Sequence, residues 1–119
     1  MERIFVVAGC LLALIGVGMG AFGAHALKAQ LSAEALSIWQ TAVQYHFWHA
    51  LALLAVALAG TGPGFKVAGW LLIAGLFLFS GSLYALALGA PRGLGLVTPL
   101  GGLALILGWL AFAVAAIRR

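Results

Sequence analysis

Four long apolar runs occupy most of this 119-residue chain and constrain its fold more than any other feature. They are Ile4 to Leu27, about Thr41 to Leu58, about Phe65 to Leu88, and about Leu94 to Ile117. A helix needs roughly 20 mostly apolar residues to cross a hydrocarbon core of about 30 Å, and each run meets that requirement. The sequence therefore predicts an all-α integral membrane bundle of four transmembrane helices, with residues 1–119 forming one domain.

The composition supports a membrane protein and excludes several soluble classes. Hydrophobic residues make up 66% of the chain and charged residues 7%, whereas soluble domains average about 45–50% and about 25%. The net charge of +4 comes from single Lys and Arg residues scattered between apolar runs, so no basic patch for nucleic acid is expected. Cys10 is the only cysteine, which excludes an internal disulfide.

The segments between the runs predict how the helices are connected. Two short glycine- and proline-containing turns, at residues 60–64 and 89–93, require antiparallel neighbours. The longer polar stretch from Lys28 to Gln40 contains Ser32 and Glu34, a pattern typical of a helix start. We expect a short interfacial helix in this stretch, between the first and second spans and leading into the second.

The distribution of basic residues predicts the orientation. With four spans both termini lie on one side of the bilayer. The basic residues on that side are Arg3, Lys66, Arg118 and Arg119, whereas the opposite side has Lys28 and Arg92. Since cytoplasmic flanks carry the positive excess, we expect an inner-membrane protein with both termini in the cytoplasm.

Small residues recur at helical spacing in the first and last runs. Gly16 and Gly20 belong to such a series in the first run, and Gly101 and Gly108 to one in the last. Transmembrane helices associate through close backbone approach, which small residues permit. These four glycines are therefore predicted to lie at helix contacts, and the alternative that they line a pore has no further sequence support.

Polar side chains within the apolar runs are the candidate functional residues. They are His25, Gln44, Tyr45, His49, Ser80, Ser82, Tyr84 and Thr98. Antiparallel threading predicts that they gather in the half of the bundle away from the termini. Polar groups in hydrocarbon are costly unless they pair or line an aqueous cavity, so they should face inward.

Two interpretations of this polar cluster remain open. The side chains hydrogen-bond helix to helix, or they hold a ligand. His46 and His49, three residues apart, with His25 from the neighbouring helix, have the residue types of a metal site. Two histidines from different helices also suit axial haem ligation. The sequence alone identifies no cofactor.

Catalytic chemistry has little support in this sequence. No carboxylate accompanies the histidines, and Cys10 lies at the other end of the bundle from them, so we expect a non-enzyme. The leading hypothesis is an accessory or interaction protein that contacts the bilayer and a membrane-protein partner or a second copy of itself. A small-solute channel or transporter formed by an oligomer is the other alternative.

Five ordered blocks carry a resemblance to a known family. They are Gly20 to Leu27, Thr41 to Tyr45 with His49 to Leu53, Ala68 to Trp70, Phe79 to Tyr84, and Thr98 to Gly102. The chain resembles domain of unknown function 423, small bacterial membrane proteins similar to the eukaryotic transmembrane protein 256. The resemblance implies four spans and supplies no function. His46 lies where the family has other residues, so the resemblance favours His25 and His49 among the three histidines.

Overall fold

The computed structural model describes residues 1–119 and contains four long helices. Helix α1 spans Arg3–His25, α2 spans Ala33–Ala59, α3 spans Pro63–Ala87 and α4 spans Val97–Arg118. Short 3₁₀ turns at Leu27–Ala29 and Arg92–Leu96 precede α2 and α4. All four helices are long and apolar enough to cross a membrane, which confirms the prediction of four transmembrane helices.

The prediction of a separate interfacial helix between the first and second spans is wrong. Residues 33–40 form the first turns of α2, which continues unbroken to Ala59. The hydroxyl of Ser32 accepts a hydrogen bond from the backbone N–H of Ala35 at 3.1 Å and so caps the helix start. No glycine or proline occurs between that cap and Gly60, so nothing interrupts the helix where it enters the apolar region.

The turns explain where the helices stop. Gly62 and Gly89 adopt φ of 118° and 101°, a backbone conformation that residues other than glycine rarely adopt. Pro63 occupies the first turn of α3, where its missing N–H costs no helical hydrogen bond. Each turn reverses the chain, so consecutive helices run antiparallel.

The four helices form a flattened row and not a closed bundle. Each packs along its length against its neighbour in the chain, whereas α1 and α4 share no extensive interface. The principal extents of 48 × 26 × 17 Å reflect this arrangement. The buried core includes residues of all four helices, and its largest fully buried apolar side chains are Phe5, Leu53, Val56 and Leu72.

Glycines permit the closest helix approaches. Gly16 faces the ring of His46 on α2, where an added Cβ would lie 3.5 Å from Cδ2, and Gly20 faces Val43. On α4, an added Cβ at Gly108 would lie 2.7 Å from Leu72. At Gly101 it would meet the backbone of α3 at Phe79. The α3–α4 contact is therefore closer than the α1–α2 contact at these positions.

Candidate functional site

His46 lies at the middle of α2 and is almost fully buried, with 3% of its surface exposed. Its Nε2 lies 2.7 Å from the backbone carbonyl of Leu12 on α1, and its Nδ1 lies 2.7 Å from the hydroxyl of Tyr84 on α3. A carbonyl can only accept, so Nε2 carries the proton and donates. Nδ1 must then accept from the Tyr84 hydroxyl, and one neutral imidazole joins three helices.

His49 lies one turn further along α2, and the donor and acceptor roles of its two ring nitrogens are the reverse of those in His46. Its Nδ1 lies 2.6 Å from the backbone carbonyl of Tyr45 and must donate to it. The indole N–H of Trp109 on α4 donates to Nε2 at 3.0 Å. Tyr45 thus contributes its carbonyl to this contact, and its ring stacks on the imidazole with 6.0 Å between centroids. The neutral ring of His49 joins α2 to α4.

Two serines on α3 make further contacts between helices. The hydroxyl of Ser80 donates to the carbonyl of Ala42 on α2 at 2.8 Å. Ser82 donates its only proton to the carbonyl of Phe79 at 2.9 Å, within its own helix. Its oxygen therefore accepts from the hydroxyl of Thr98 on α4, at 2.5 Å. These bonds connect α2 to α3 and α3 to α4.

Sequence reasoning missed the contribution of Trp39. The stretch that contains it was expected to form a short interfacial helix, yet Trp39 is 2% exposed. Its indole N–H donates to the carbonyl of Met19 on α1 at 2.9 Å, and its ring packs on Tyr84 with centroids 4.7 Å apart. Its neighbour Gly23 provides the space, because an added Cβ there would lie 2.5 Å from the indole nitrogen. A large residue on one helix facing a glycine on the next was the sequence signal that could have indicated this contact.

The hydrogen bonds of His46, His49, Ser80, Ser82 and Trp39 form a polar network between the helices. Two of the predicted site residues lie outside this network. His25 ends α1, is exposed and forms no hydrogen bond with another side chain. Gln44 is exposed on the side of α2 next to α1. His46, which the family resemblance had placed behind His25, is instead the most connected of the three histidines. These contacts depend on which residues of neighbouring helices lie at the same height, and the sequence does not specify that height.

The depth of the histidines also differs from the expectation. Leu12, the partner of His46, lies near the middle of α1, and Trp109, the partner of His49, lies near the middle of α4. Both histidines therefore lie near mid-height in the row. Tyr84, Ser82 and Thr98 do lie in the half away from the termini.

The chemistry open to these histidines follows from their partners. Both ring nitrogens of His46 and of His49 are occupied by hydrogen bonds, so neither ring offers a free lone pair to a metal or haem iron. Trp39 lies beside Gly23 near the end of α1, and His49 is ten residues further along α2. His25 lies two residues beyond Gly23 in the opposite direction, so it is separated from His49 by about 18 Å along the helix axis. The two residues do not form one ligand set.

All buried side-chain nitrogen and oxygen atoms have a hydrogen-bond partner. The network therefore acts as an internal support, linking α1 with α2, α2 with α3, α3 with α4, and α2 with α4. Such bonds between membrane helices contribute about 0.6 kcal/mol each on average. The polar groups that remain unpaired are on the surface.

This fold defines a multi-pass membrane protein in which four helices are joined by polar contacts in their interior. Residues 19–102 match the family described as "Protein of unknown function (DUF423)", and the chain belongs to that family. No solved structure is similar to it at a significant level.

Several bacterial relatives are similar over nearly their full length. The UPF0382 membrane protein YwdK of Bacillus subtilis is 46% identical over 121 residues, covering 98% of each chain. The UPF0382 membrane protein SERP0230 of Staphylococcus epidermidis is 45% identical, covering 98% of this chain and 97% of the relative. A Staphylococcus saprophyticus relative, SSP2132, is 45% identical over 94% of this chain and 95% of its own. These names give a membrane location and no biochemical role.

Proposed function

We propose that this chain is an accessory membrane protein whose role is lateral association with a different membrane protein. The observation that carries the proposal is the side-chain amide of Gln44, which is exposed on a helix that is long and apolar enough to cross the membrane and forms no hydrogen bond within the chain. Val43, its neighbour, packs on Gly20 of α1, so Gln44 lies about 7 Å inside the end of that helix. An amide at this depth gains from a hydrogen-bond partner on another chain.

The surroundings of Gln44 have the form of a helix-docking groove. Its cavity of about 280 Å³ lies between α1 and α2 and is lined by small residues on one side and amides on the other. The lining residues are Gly20, Gly23, Ala24, Gln40, Val43 and Gln44. Small residues allow a second backbone to come close, and amides donate and accept across the contact. Gln40 is exposed and unpaired as well.

The shape of the groove favours a different protein over a second copy. Two copies related by a two-fold axis present the same surface to each other. A groove would then face a groove, and both cavities would stay empty. A convex transmembrane helix that carries a polar side chain fills the cavity and pairs the amide, so we assign that occupant.

Site-specific photocrosslinking in intact cells tests the proposal. A photoreactive residue replacing Gln40, at the rim of the groove, should give one protein adduct, and an additional Gln44→Leu change should reduce that adduct at least severalfold. The control position is Ile106, which is exposed on α4 away from this groove. Equal adducts from both positions would contradict the proposal, as would an adduct with the mass of two copies of this chain.

The other hypotheses have weaker support. A haem or metal held jointly by His25 and His49 requires two residues that lie far apart and an imidazole whose nitrogens are already bonded. A small-solute channel formed by an oligomer requires polar groups that face water, whereas the buried ones pair with each other. The proposed role is non-catalytic and needs no cofactor.

We further propose that the protein lies in the bacterial inner membrane with both termini in the cytoplasm. The carrying observation is the charge difference between the two ends of the row: Arg3, Lys66, Arg118 and Arg119 against Lys28 and Arg92. Fusions after the last residue test it, with fluorescence from green fluorescent protein and no activity from alkaline phosphatase expected. An active phosphatase fusion would show that the end of the chain lies outside the cytoplasm, and it would contradict the proposed orientation.

A further inference from the structure

A second groove lies at the end of the molecule that contains both termini, between α3 and α4. Its volume is about 650 Å³, and it is lined mainly by apolar side chains such as Val67 and Leu71 on α3 and Leu110 and Val114 on α4. Its mouth is formed by the turn before α3 together with Arg118 and Arg119. The groove is separate from the docking groove near Gln44, which lies toward the other end of the row.

The mouth of this groove is cationic. The guanidinium of Arg119 donates to the carbonyl of Ala59, at the end of α2, which holds it over the mouth. Arg118 is exposed and forms no ion pair. Glu2, the only acidic residue at this end, faces Lys66 with 3.9 Å between the charged atoms. Neither arginine therefore has a side-chain carboxylate as its partner at the mouth.

The length of the groove matches one leaflet of a bilayer. Its lining on α4 extends from Leu107 to Arg118, which corresponds to about 16 Å of helix. One leaflet contributes half of a hydrocarbon core of about 30 Å. An acyl chain that starts at the level of the arginines can therefore lie in the groove along its whole length.

We propose that this groove binds an anionic phospholipid, with its phosphate on Arg118 and Arg119 and one acyl chain between α3 and α4. Basic pockets between transmembrane helices bind anionic headgroups, and each arginine near the surface contributes about fivefold in affinity. A zwitterionic phospholipid gains the apolar contact, but the cationic group of its headgroup opposes the arginine charges, and a soluble phosphate gains only the ionic contact. The combination of charge and groove selects an anionic lipid.

Native mass spectrometry of the purified full chain tests this site. The probes are phosphatidylglycerol and phosphatidylcholine with identical acyl chains. We expect one bound phosphatidylglycerol with about tenfold or greater preference over phosphatidylcholine. Arg118→Gln should lower that preference about fivefold, and Arg118→Lys should retain most of it. Arg92→Gln, which removes an exposed charge at the opposite end, should leave it unchanged.

A second variant tests the groove itself. Val114→Trp should fill the groove and lower the binding of both lipids severalfold, while far-ultraviolet circular dichroism shows that the helices persist. Arg118 is preferred to Arg119 for substitution because Arg119 also contacts Ala59. Equal binding of the two lipids to the unmodified chain would overturn the proposal. Full retention of phosphatidylglycerol by Val114→Trp, or competition by glycerol phosphate, would also overturn it.

Discussion

The hydroxyl of Tyr84 donates to Nδ1 of His46 at 2.7 Å and fixes the proton of that imidazole on Nε2, where it reaches the carbonyl of Leu12. Gly16, four residues after Leu12, makes this contact possible. In a helix the side chain of residue i+4 extends back over the carbonyl of residue i. The missing side chain at Gly16 leaves that carbonyl accessible, so a glycine that permits helix packing also admits a polar contact between helices.

Replacing His46 should destabilise the protein more than replacing any other polar residue. His46→Ala removes two hydrogen bonds and leaves a cavity among three helices, so we expect a loss of about 3 kcal/mol. Tyr84→Phe removes one of those bonds and should cost about 1 kcal/mol. The measurement is the free energy of unfolding in mixed detergent and dodecyl sulfate micelles, followed by circular dichroism. His25→Ala is the control, and a loss as large as that of His46→Ala would refute this ranking.

Gly16→Leu should separate α1 from α2. Its side chain would occupy the space of the His46 ring, which lies 3.5 Å from where a Cβ would be. We expect a loss of about 1–3 kcal/mol in the same unfolding assay. Gly18→Leu is a matched control on the same helix, since no atom lies within 4 Å of a Cβ there. If both variants unfold alike, Gly16 does not mediate the helix contact.

Gly101→Ala tests the closest approach between α3 and α4. A methyl group at this position would meet the backbone of Phe79 and lie 2.8 Å from the carbonyl carbon of Leu78. Because backbone atoms cannot rotate away, the helices must shift, at a cost of about 1–3 kcal/mol. Gly81→Ala, where no atom lies within 4 Å, should cost nothing measurable. Unchanged melting temperatures for both variants would contradict the observed α3–α4 packing.

The four transmembrane helices were predictable because an apolar run of roughly 20 residues has few alternatives to crossing a bilayer. The continuity of α2 was harder to predict, since the polar residues before Thr41 suggest an interface although no helix breaker separates them from the span. Polarity indicates the environment of a segment, whereas a break in a helix requires glycine, proline or a competing cap.

The candidate site was only partly predictable, for a geometric reason. Helical periodicity places His46 and His49 on particular faces of α2, but it does not fix the height of α1 or α4 beside them. The partners of both histidines include main-chain carbonyls, at Leu12 and Tyr45, which a sequence cannot distinguish from any other carbonyl. His25 matched the expected residue type but lies at a helix end, where its ring is exposed.

His49→Ala should reduce stability by about 2 kcal/mol. The change leaves the indole N–H of Trp109 without its acceptor and removes the ring between α2 and α4. Cys10→Ala, at an exposed position on α1, should have no measurable effect. Melting temperatures in detergent provide the comparison. Equal values for the two variants would show that the contact between His49 and Trp109 contributes no stability.

The hydrogen bond between Ser82 and Thr98 can be isolated by a double-mutant cycle. Ser82→Ala, Thr98→Val and the double variant should show a coupling free energy of about 0.6 kcal/mol, and no more than about 1.7 kcal/mol, the range for polar contacts between membrane helices. The single and double variants are compared by unfolding free energies in micelles. Ser80→Ala combined with Thr98→Val is the matched control, because Ser80 donates to Ala42 on α2 instead. That pair should be additive. Coupling as large in the control pair would mean that the substitutions act through a general loosening of α3 against α4, and not through the hydroxyl contact.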